Sequence, residues 1–326
     1  MVFEEIIFKG SHNGINYYKV NLMNLKTIFI MTIYGCCVLS EKPLLKRIAE
    51  RVLGSEYVDL IWRRIEVVGD IAIIRKPFNL SEDIFKIIGE ELLKTLPYIR
   101  SVWLAVTPVH GVERVRNYIH LAGEKKSETI YKEYGCIFKV DITKVYISPV
   151  LGYDHIRIAK MVKEDERILN MFAGFGPYSI IASRYAKPSY ILSIDINEYA
   201  VKYMKINIEL NKVVTINEII HGDSLFITSS FRKEFNRILM PYPDLFEKAM
   251  EVALLAVKEN GYIHPHLFIE AENRKDALIK ASEKVKDLAM KLGTLIEPTG
   301  GHVIRGVAPR KYHVAIDAIV KRKNMI

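Results

Sequence analysis

Asn170-Met171-Phe172-Ala173-Gly174-Phe175-Gly176-Pro177-Tyr178-Ser179 is the stretch whose reading decides the fold. Arg167 to Phe172 has the apolar character of a short buried strand, and the residues from Tyr178 to Arg184 favour helix. Between them stand two glycines one residue apart. Glycines at a strand-to-helix turn let the backbone approach a ligand closely, and the helix N-terminus offers free N–H groups. A second strand, Tyr190 to Ile194, ends in Asp195, 21 residues after Gly174. That is where a nucleoside-binding β-α-β unit places an acidic side chain against ribose hydroxyls.

A dinucleotide fold would want a third glycine where this chain has Ser179. The turn therefore suits a nucleoside without a pyrophosphate, and S-adenosylmethionine is the candidate cofactor. Further on, Ile216 to Ile220 reads as a strand ending at Asp223, and Arg237 to Met240 as one ending at Pro241-Tyr242-Pro243. The helix after Asp195 puts Ala200, Tyr203, Met204 and Ile208 on one face. The next, carrying Leu245, Ala249, Val252, Ala253 and Ala256, is expected to stop at Gly261. His313 to Val320 supplies a late strand. Such alternation predicts an α/β fold, a Rossmann-like, mostly parallel sheet with helices on both sides. Ligands sit at the carboxyl ends of its strands, where Asn170, Asp195, Asp223 and Pro241 fall.

A chain of 326 residues is long enough for two or three domains. Residues 1–58 read as a small N-terminal module of short strands closed by an amphipathic helix, Leu44 to Leu53. Residues 59–149 read as an α+β middle domain. Its strands lie at Ile65 to Arg75 and Val102 to Val106, its helix at Ser81 to Leu93, and a hairpin or edge strand at Gly135 to Ile147. Residues 150–326 make the Rossmann-like domain. The longest apolar run, Ile28 to Leu39, is too short to span a bilayer, and Glu4 and Glu5 stand where a secretory signal needs basic residues. Cys36, Cys37 and Cys136 have no metal-ligand spacing, and His264 and His266 read as strand residues. A cytoplasmic, metal-free monomer is expected.

Net charge is +9, from 47 basic and 38 acidic residues, which suits a polyanionic partner. The basic residues gather at Arg63-Arg64, Arg114 to Lys126, Arg305 to Lys311 and Lys321-Arg322-Lys323. Beside a nucleoside pocket, these clusters point to a nucleic-acid substrate.

Several segments together resemble one family, the archaeal and eukaryotic tRNA methyltransferases of guanosine 37 with their wyosine-pathway relatives. The family's cofactor turn, Asp-x-Phe-Ala-Gly-x-Gly-Pro-Phe, appears as Asn170 to Tyr178, and its Ile-Asp-x-Asn-Pro as Ile194-Asp195-Ile196-Asn197-Glu198. Leu121-Ala122-Gly123-Glu124 and Phe138-Lys139-Val140-Asp141 are similar to its middle domain, and Ala308-Pro309-Arg310-Lys311-Tyr312-His313 to its C-terminal signature. The resemblance covers roughly residues 60 to 320. It implies a class I methyltransferase fold, S-adenosylmethionine as cofactor and tRNA as partner, through the anticodon stem-loop and, for residues 1–58, the elbow. The implied cofactor-binding residues are Asn170, Phe172, Ala173, Gly174, Gly176, Asp195, Asn197, Asp223 and Pro241.

The chain also departs from that family. Asn170 stands where the family has Asp. The active-site segment Ser-Pro-Arg-Leu-x-x-Glu-Arg is replaced by Ser148-Pro149-Val150-Leu151-Gly152-Tyr153-Asp154-His155, and Asn-Leu-Pro by Pro241-Tyr242-Pro243. The resemblance makes Asp154 the expected base, Arg114 the group that steadies developing charge, and Tyr242 a stacking platform for the target base. Asp154 also fits the N-cap of a helix starting near His155. Aspartate is one methylene shorter than glutamate, and a shift of about an ångström can cost ~100-fold in rate. Carbon methylation of 4-demethylwyosine to isowyosine is therefore favoured over methylation of guanine N1. Aminocarboxypropyl-transferring relatives tend to carry Glu at the position of Asp195 and lack the Gly-Pro-aromatic turn, so this chain sides with the methyl transferrers. The alternative from a different class is a non-catalytic tRNA-binding paralogue.

Overall fold

Five strands of the C-terminal sheet run parallel, and their order explains where a ligand can sit. They are β1 (Arg167–Asn170), β2 (Tyr190–Asp195), β3 (Ile216–His221), β4 (Phe235–Met240) and β5 (Val257–Glu270). Two long strands, β6 (Thr294–Ala308) and β7 (Lys311–Lys323), complete a sheet of order β3-β2-β1-β4-β5-β7-β6, with β7 antiparallel to both neighbours. The chain reverses direction across the sheet between β1 and β4, which leaves a crevice at their carboxyl ends. The computed structural model describes residues 42–77 and 80–323, and before them the backbone of residues 6–12, 15–20 and 32–33.

Sequence dictates the layering. Ile168 and Leu169 of β1 and Ile238, Leu239 and Met240 of β4 are buried, as central parallel strands covered on both faces must be. The covering helices are α1 (Pro177–Tyr185), α2 (Glu198–Leu210), α3 (Ser224–Thr228), α4 (Phe246–Ala256) and α5 (Arg274–Lys291). On α2, Ala200, Tyr203 and Met204 are buried and Ile208 packs at the margin. Asn197 caps that helix by accepting the N–H groups of Tyr199 and Ala200.

Several boundaries differ from the sequence-based expectation. Ile65 to Arg75 makes two strands, Ile65–Val68 and Ile71–Arg75, and the hairpin or edge strand expected at Gly135 to Ile147 is a hairpin that pairs Glu128–Glu133 with Cys136–Asp141. The helix expected to run to Gly261 ends at Ala256, and β5 begins at Val257. Asn260 adopts a left-handed φ of 59°, and a Cβ on Gly261 would sit 2.9 Å from the Asn236 carbonyl oxygen. The backbone of β5 thus presses against β4, which a continuing helix would prevent. Helix α5 and strand β6 were not anticipated; Pro298 and Gly300-Gly301 interrupt β6, whose pairing with β7 shifts register four times.

Residues Leu44–Ile326 form one compact unit and Met1–Pro43 another. In the smaller unit, strands Ile6–His12, Ile15–Val20 and Thr32–Ile33 pair antiparallel in chain order. Most of the Ile28-to-Leu39 run, with Cys36 and Cys37, lies outside the described residues. Helix Leu44–Leu53, read from sequence as part of the N-terminal module, belongs to the larger unit. Its Leu45, Ile48 and Ala49 share a core with Phe85, Ile88 and Leu92 of helix Glu82–Thr95.

Those two helices cover one face of a four-stranded sheet built from Ile65–Val68, Ile71–Arg75, Ser101–Ala105 and Tyr118–Gly123. Side chains alternate across a strand, so Ala72 and Ile74 face the helices while Ile71 and Ile73 face the other way. On that second face lies the hairpin Glu128–Glu133/Cys136–Asp141, whose Cys136, Phe138 and Val140 join a core shared with α1 and α2. Its outer edge is satisfied by side chains of α2 and its C-cap. Asn207 Oδ1 accepts the Lys139 N–H at 2.7 Å and Asn211 Oδ1 the Ile137 N–H at 2.8 Å.

Candidate active site

The glycine turn takes its shape from φ values that side chains resist. Gly174 has φ +56° with open space where a Cβ would stand, so its backbone is bare to an incoming ligand. Gly176 has φ +96° at the N-cap of α1, and a Cβ there would lie 2.8 Å from Cγ of Met204. Gly176→Ala is expected to destabilise by about 1–3 kcal/mol through strain and overpacking. Thermal unfolding checks it, and an unchanged Tm would mean that the turn rearranges freely.

Asp195 holds that turn in place. Its Oδ2 accepts the Gly174 N–H at 2.7 Å and its Oδ1 the Asn197 N–H at 3.0 Å. Burial raises the carboxyl above its ordinary value, against the two backbone N–H groups that favour the anion. Asn197, buried, also donates to the Lys144 carbonyl at 2.8 Å, tying the segment after the hairpin to the site. Asp223 caps α3 by accepting the Leu225 N–H at 2.8 Å.

These residues surround a cavity of about 260 Å³ at the strand ends, with Phe172, Gly174, Asp195, Asn197, Asp223 and Pro241 in its wall. A recess of about 60 Å³ adjoins it, bounded by Ala173, Phe175 and Pro177, and shares Phe172, Gly174 and Pro241 with it. At the far side stand Arg114 and Tyr242. The Arg114 guanidinium lies 4.6 Å from the centre of the Tyr242 ring and 5.0 Å from that of Tyr146, and pairs with Asp244. Tyr242 in turn meets Phe172 edge to face at 5.2 Å. A larger concavity, about 880 Å³, lies along the middle-domain hairpin and takes no residue from the carboxyl ends of β1 to β5.

Three expected site residues line neither the cavity nor the recess, namely Gly176, which shapes the turn from behind, Asp154 and Asn170. Asp154 is fully buried in helix Gly152–Ala159. Arg157 Nε donates to its Oδ1 at 2.8 Å and the Tyr178 hydroxyl to its Oδ2 at 2.6 Å. Burial alone would raise its pKa, but His266, Arg157 and Tyr178 outweigh that and hold it far below the usual carboxylate range. Its oxygens are committed and enclosed, so the geometry does not support Asp154 as a base that touches substrate, nor does it cap the helix. Asn170 is likewise buried. Its Nδ2 donates to Ser179 Oγ at 3.0 Å, and Ser179 bonds Ser193 at 2.8 Å, a link joining β1, α1 and β2. The Oδ1 of Asn170 has no partner among the described residues.

Sequence reasoning did not single out Glu113, Tyr146, Phe268 or Arg305 as lining the same cavity, nor assign His313 a role in it. The C-terminal signature and the basic cluster at Arg305 were the available signals. Arg305 also borders a second cavity of about 220 Å³, where it joins Arg64, Arg75 and Arg116. Three basic clusters that are distant in sequence thus converge next to the site. His264 and His266 lie buried in β5, and no group of metal-ligating side chains occurs among the described residues. Nor is any described helix long and apolar enough to cross a membrane.

Residues 129–296 match the TRM5/TYW2 methyltransferase domain and residues 45–126 the TYW2 N-terminal domain. A tRNA 4-demethylwyosine(37)-methyltransferase, Taw21, from Saccharolobus solfataricus is 42% identical over 276 residues, covering 85% of this chain and 98% of that one. The chain belongs to the TRM5/TYW2 methyltransferase family. Solved TRM5/TYW2 structures superpose on it. Trm5b from Pyrococcus abyssi has a TM-score of 0.74 at 30% identity, covering 97% of this chain and 92% of its own. TYW2 from Methanocaldococcus jannaschii, crystallised with AdoMet, has a TM-score of 0.61 at 25% identity, covering 79% and 100%.

As a TRM5/TYW2 protein this chain is an S-adenosylmethionine-dependent enzyme with the class I methyltransferase fold. Its own residues fit that cofactor. The Ser224 hydroxyl is buried in the cavity wall without a partner among the described residues, so the cavity asks for a polar ligand. Asp195 at the end of β2 supplies an acceptor pair suited to ribose hydroxyls.

Proposed function

We propose that this protein methylates nucleotide 37 of tRNA in the biosynthesis of wyosine derivatives, adding a methyl to a ring carbon of 4-demethylwyosine to give isowyosine. The observation that carries this reading is the target-side wall of the cavity. Arg114, within 5.0 Å of the ring centres of both Tyr146 and Tyr242, makes a cationic and aromatic wall suited to a wide planar base. Asp154, the counterpart of the family's N1 base, is enclosed away from it. Guanine N1 must lose a proton whose pKa lies well above neutral before it attacks, whereas an electron-rich ring carbon attacks first and loses its proton afterwards. The identity to a 4-demethylwyosine methyltransferase supports the same assignment.

Bound S-adenosylmethionine supplies an electrophilic methyl on a cationic sulfur. Asp195 would take the ribose hydroxyls, with Asn197 fixing its carboxylate. Asp223 and Ser224 would meet the adenine end, and the bare backbone at Gly174 the methionine part. Phe172 and Pro241 close the wall and exclude water. Arg114 would donate to the exocyclic oxygen of the base and hold the ring in register with the methyl group. Arg64, Arg75, Arg116 and Arg305 offer a path for the phosphates of the anticodon stem-loop. In this reading residues 59–149 present the basic face, residues 1–58 reach the tRNA elbow, and the enzyme acts as a monomer in the cytoplasm.

A second reading, N1 methylation of guanosine 37, draws on Glu113, whose exposed carboxylate lies in the same cavity wall. Mass spectrometry of nucleotide 37 after incubation with S-adenosylmethionine separates the two. A gain of one methyl on tRNA carrying 4-demethylwyosine, and none on unmodified guanosine, is expected. A methyl on guanosine alone would transfer the assignment to the N1 reaction. Binding of cofactor and tRNA without any gain in mass would leave a non-catalytic paralogue.

A further inference from the structure

Carbon methylation needs a group to take the carbon-bound proton once the new bond exists, and Asp154 cannot reach it. A hydrogen-bonded path nevertheless runs from that carboxylate back to the cavity. His266 on β5 places Nε2 3.3 Å from Oδ2 of Asp154. Its Nδ1 lies 3.0 Å from Nε2 of His313 on β7. The His313 ring lines the cavity beside Phe268, 5.5 Å from centre to centre.

The far end of this path fixes where its protons lie. Asp154 is anionic, held by Arg157, so its oxygens only accept. Tyr178 donates its own hydrogen to Oδ2 at 2.6 Å, and its oxygen lies 3.4 Å from Nε2 of His266, free to accept there. His266 therefore carries its hydrogen on Nε2, and the relay takes Nδ1 as the lone pair that faces His313. A ring nitrogen 3.0 Å from that lone pair must donate, so His313 carries its hydrogen on Nε2. Neutral His313 is left with a bare Nδ1. Burial, with Arg305 nearby, holds the His313 pKa below its ordinary value, which keeps the ring uncharged in the neutral range.

We infer that His313 is the proton acceptor in carbon methylation of the tRNA base, and that His266 and Asp154 form a positioning relay behind it. The inference rests on the functional reading above. As the step proceeds, a π pair of the ring carbon forms the new carbon–carbon bond while the sulfur–methyl bond breaks, its electron pair staying on sulfur. The proton on the methylated carbon then passes to Nδ1 of His313, and the carbon–hydrogen pair restores the aromatic ring. As Nδ1 takes that proton, the hydrogen on Nε2 shifts toward Nδ1 of His266, which spreads the positive charge toward Asp154. A weak base is enough, because a proton on a saturated carbon of a cationic ring is strongly acidic. A guanine N1 proton would demand far more.

The test uses the full-length enzyme and tRNA carrying 4-demethylwyosine, with protium or deuterium on the carbon to be methylated. His313→Phe is expected to lower kcat by about 100-fold or more. S-adenosylhomocysteine and tRNA affinities should be kept, and a primary deuterium isotope effect larger than that of the wild type should appear. His266→Gln should show a smaller loss of kcat with the same rise in isotope effect, a signature that mere loosening of the fold does not give. If His313→Phe matches the wild-type rate within about threefold, below any general-base contribution, the inference is overturned. Nitrogen-15 NMR of histidine-labelled wild-type protein decides without relying on a variant's folding. A neutral His313 with unprotonated Nδ1 supports the relay, and an Nδ1-protonated or cationic ring refutes it. A wild-type enzyme that adds no methyl to the tricyclic base removes the functional reading and the inference with it. Activity in the wild type matched by His313→Phe removes the inference alone.

Discussion

Asp195→Ala is expected to weaken binding of S-adenosylmethionine by roughly 100-fold or more, measured by calorimetric titration with S-adenosylhomocysteine. The carboxylate has two tasks at one place. It accepts the N–H groups of Gly174 and Asn197, pinning the glycine turn to the start of α2, and it lines the cavity where ribose hydroxyls would lie. Hydrogen bonds to a charged group contribute about 1.5–3 kcal/mol each. Losing a pair of them gives about 3 kcal/mol, and every 1.4 kcal/mol is about tenfold in affinity. Asp195→Asn, which keeps one oxygen acceptor, should lose closer to tenfold. Because burial raises this carboxyl, cofactor affinity should begin to fall at a higher pH than an exposed aspartate would give. Affinity for tRNA should survive both changes. A Kd within about threefold of wild type after removing Asp195 would mean that the ribose is held elsewhere, since one charged hydrogen bond alone exceeds that.

The glycine turn was legible because its chemistry is local. Gly174, Gly176, Asp195 and Asn197 act through backbone conformation and helix capping within one β-α-β unit; spacing places the first three, and the family resemblance adds Asn197. The same holds for Asp223 and for the aromatic after Pro241. What the sequence hid depends on non-local pairing. His313 and Phe268 come into the wall because β7 inserts antiparallel between β5 and β6. Neither the bulged strand β6 nor the β5 turn at Asn260-Gly261 shows a clean period of two. The surroundings of Asp154 were hidden for a related reason. An acidic residue at a motif position looks the same in sequence whether it faces a cavity or a half-buried arginine three residues on. Only the packing of helix Gly152–Ala159 against β5 and β7 separates the cases.

The largest effect on stability is expected from Arg237→Met. Arg237 is 1% exposed in the middle of β4, and its guanidinium is surrounded. Nε and Nη2 donate to the two carboxylate oxygens of Glu166 at 2.6 and 2.8 Å, Nη2 also to the Met161 carbonyl at 2.8 Å, and Nη1 to Nε2 of His264 at 2.6 Å. His264 passes its own hydrogen, on Nδ1, to Asp317 at 2.6 Å, and Asp317 pairs with Arg157. Burial holds the His264 pKa below its ordinary value, so the ring is neutral and its Nε2 needs this donor. Methionine would fill much of the volume but leave Glu166 as a buried carboxylate facing an apolar group, with His264 short of a partner. Breaking one member of such a pair costs about 3–5 kcal/mol. At about 2–4 °C per kcal/mol for a large domain, Tm should fall by roughly 10 °C. Removing both charges together, Arg237→Met with Glu166→Leu, should recover most of that loss, because the penalty comes from the stranded carboxylate and not from the missing attraction. A single variant that melts within about 2 °C of wild type, less than 1 kcal/mol on that scale, would show that water reaches Glu166 and that the pair is not sealed. A double variant no better than the single one would instead assign the loss to packing around β4 and to the unpaired Nε2 of His264, since the stranded charge would then be absent and the cost still present.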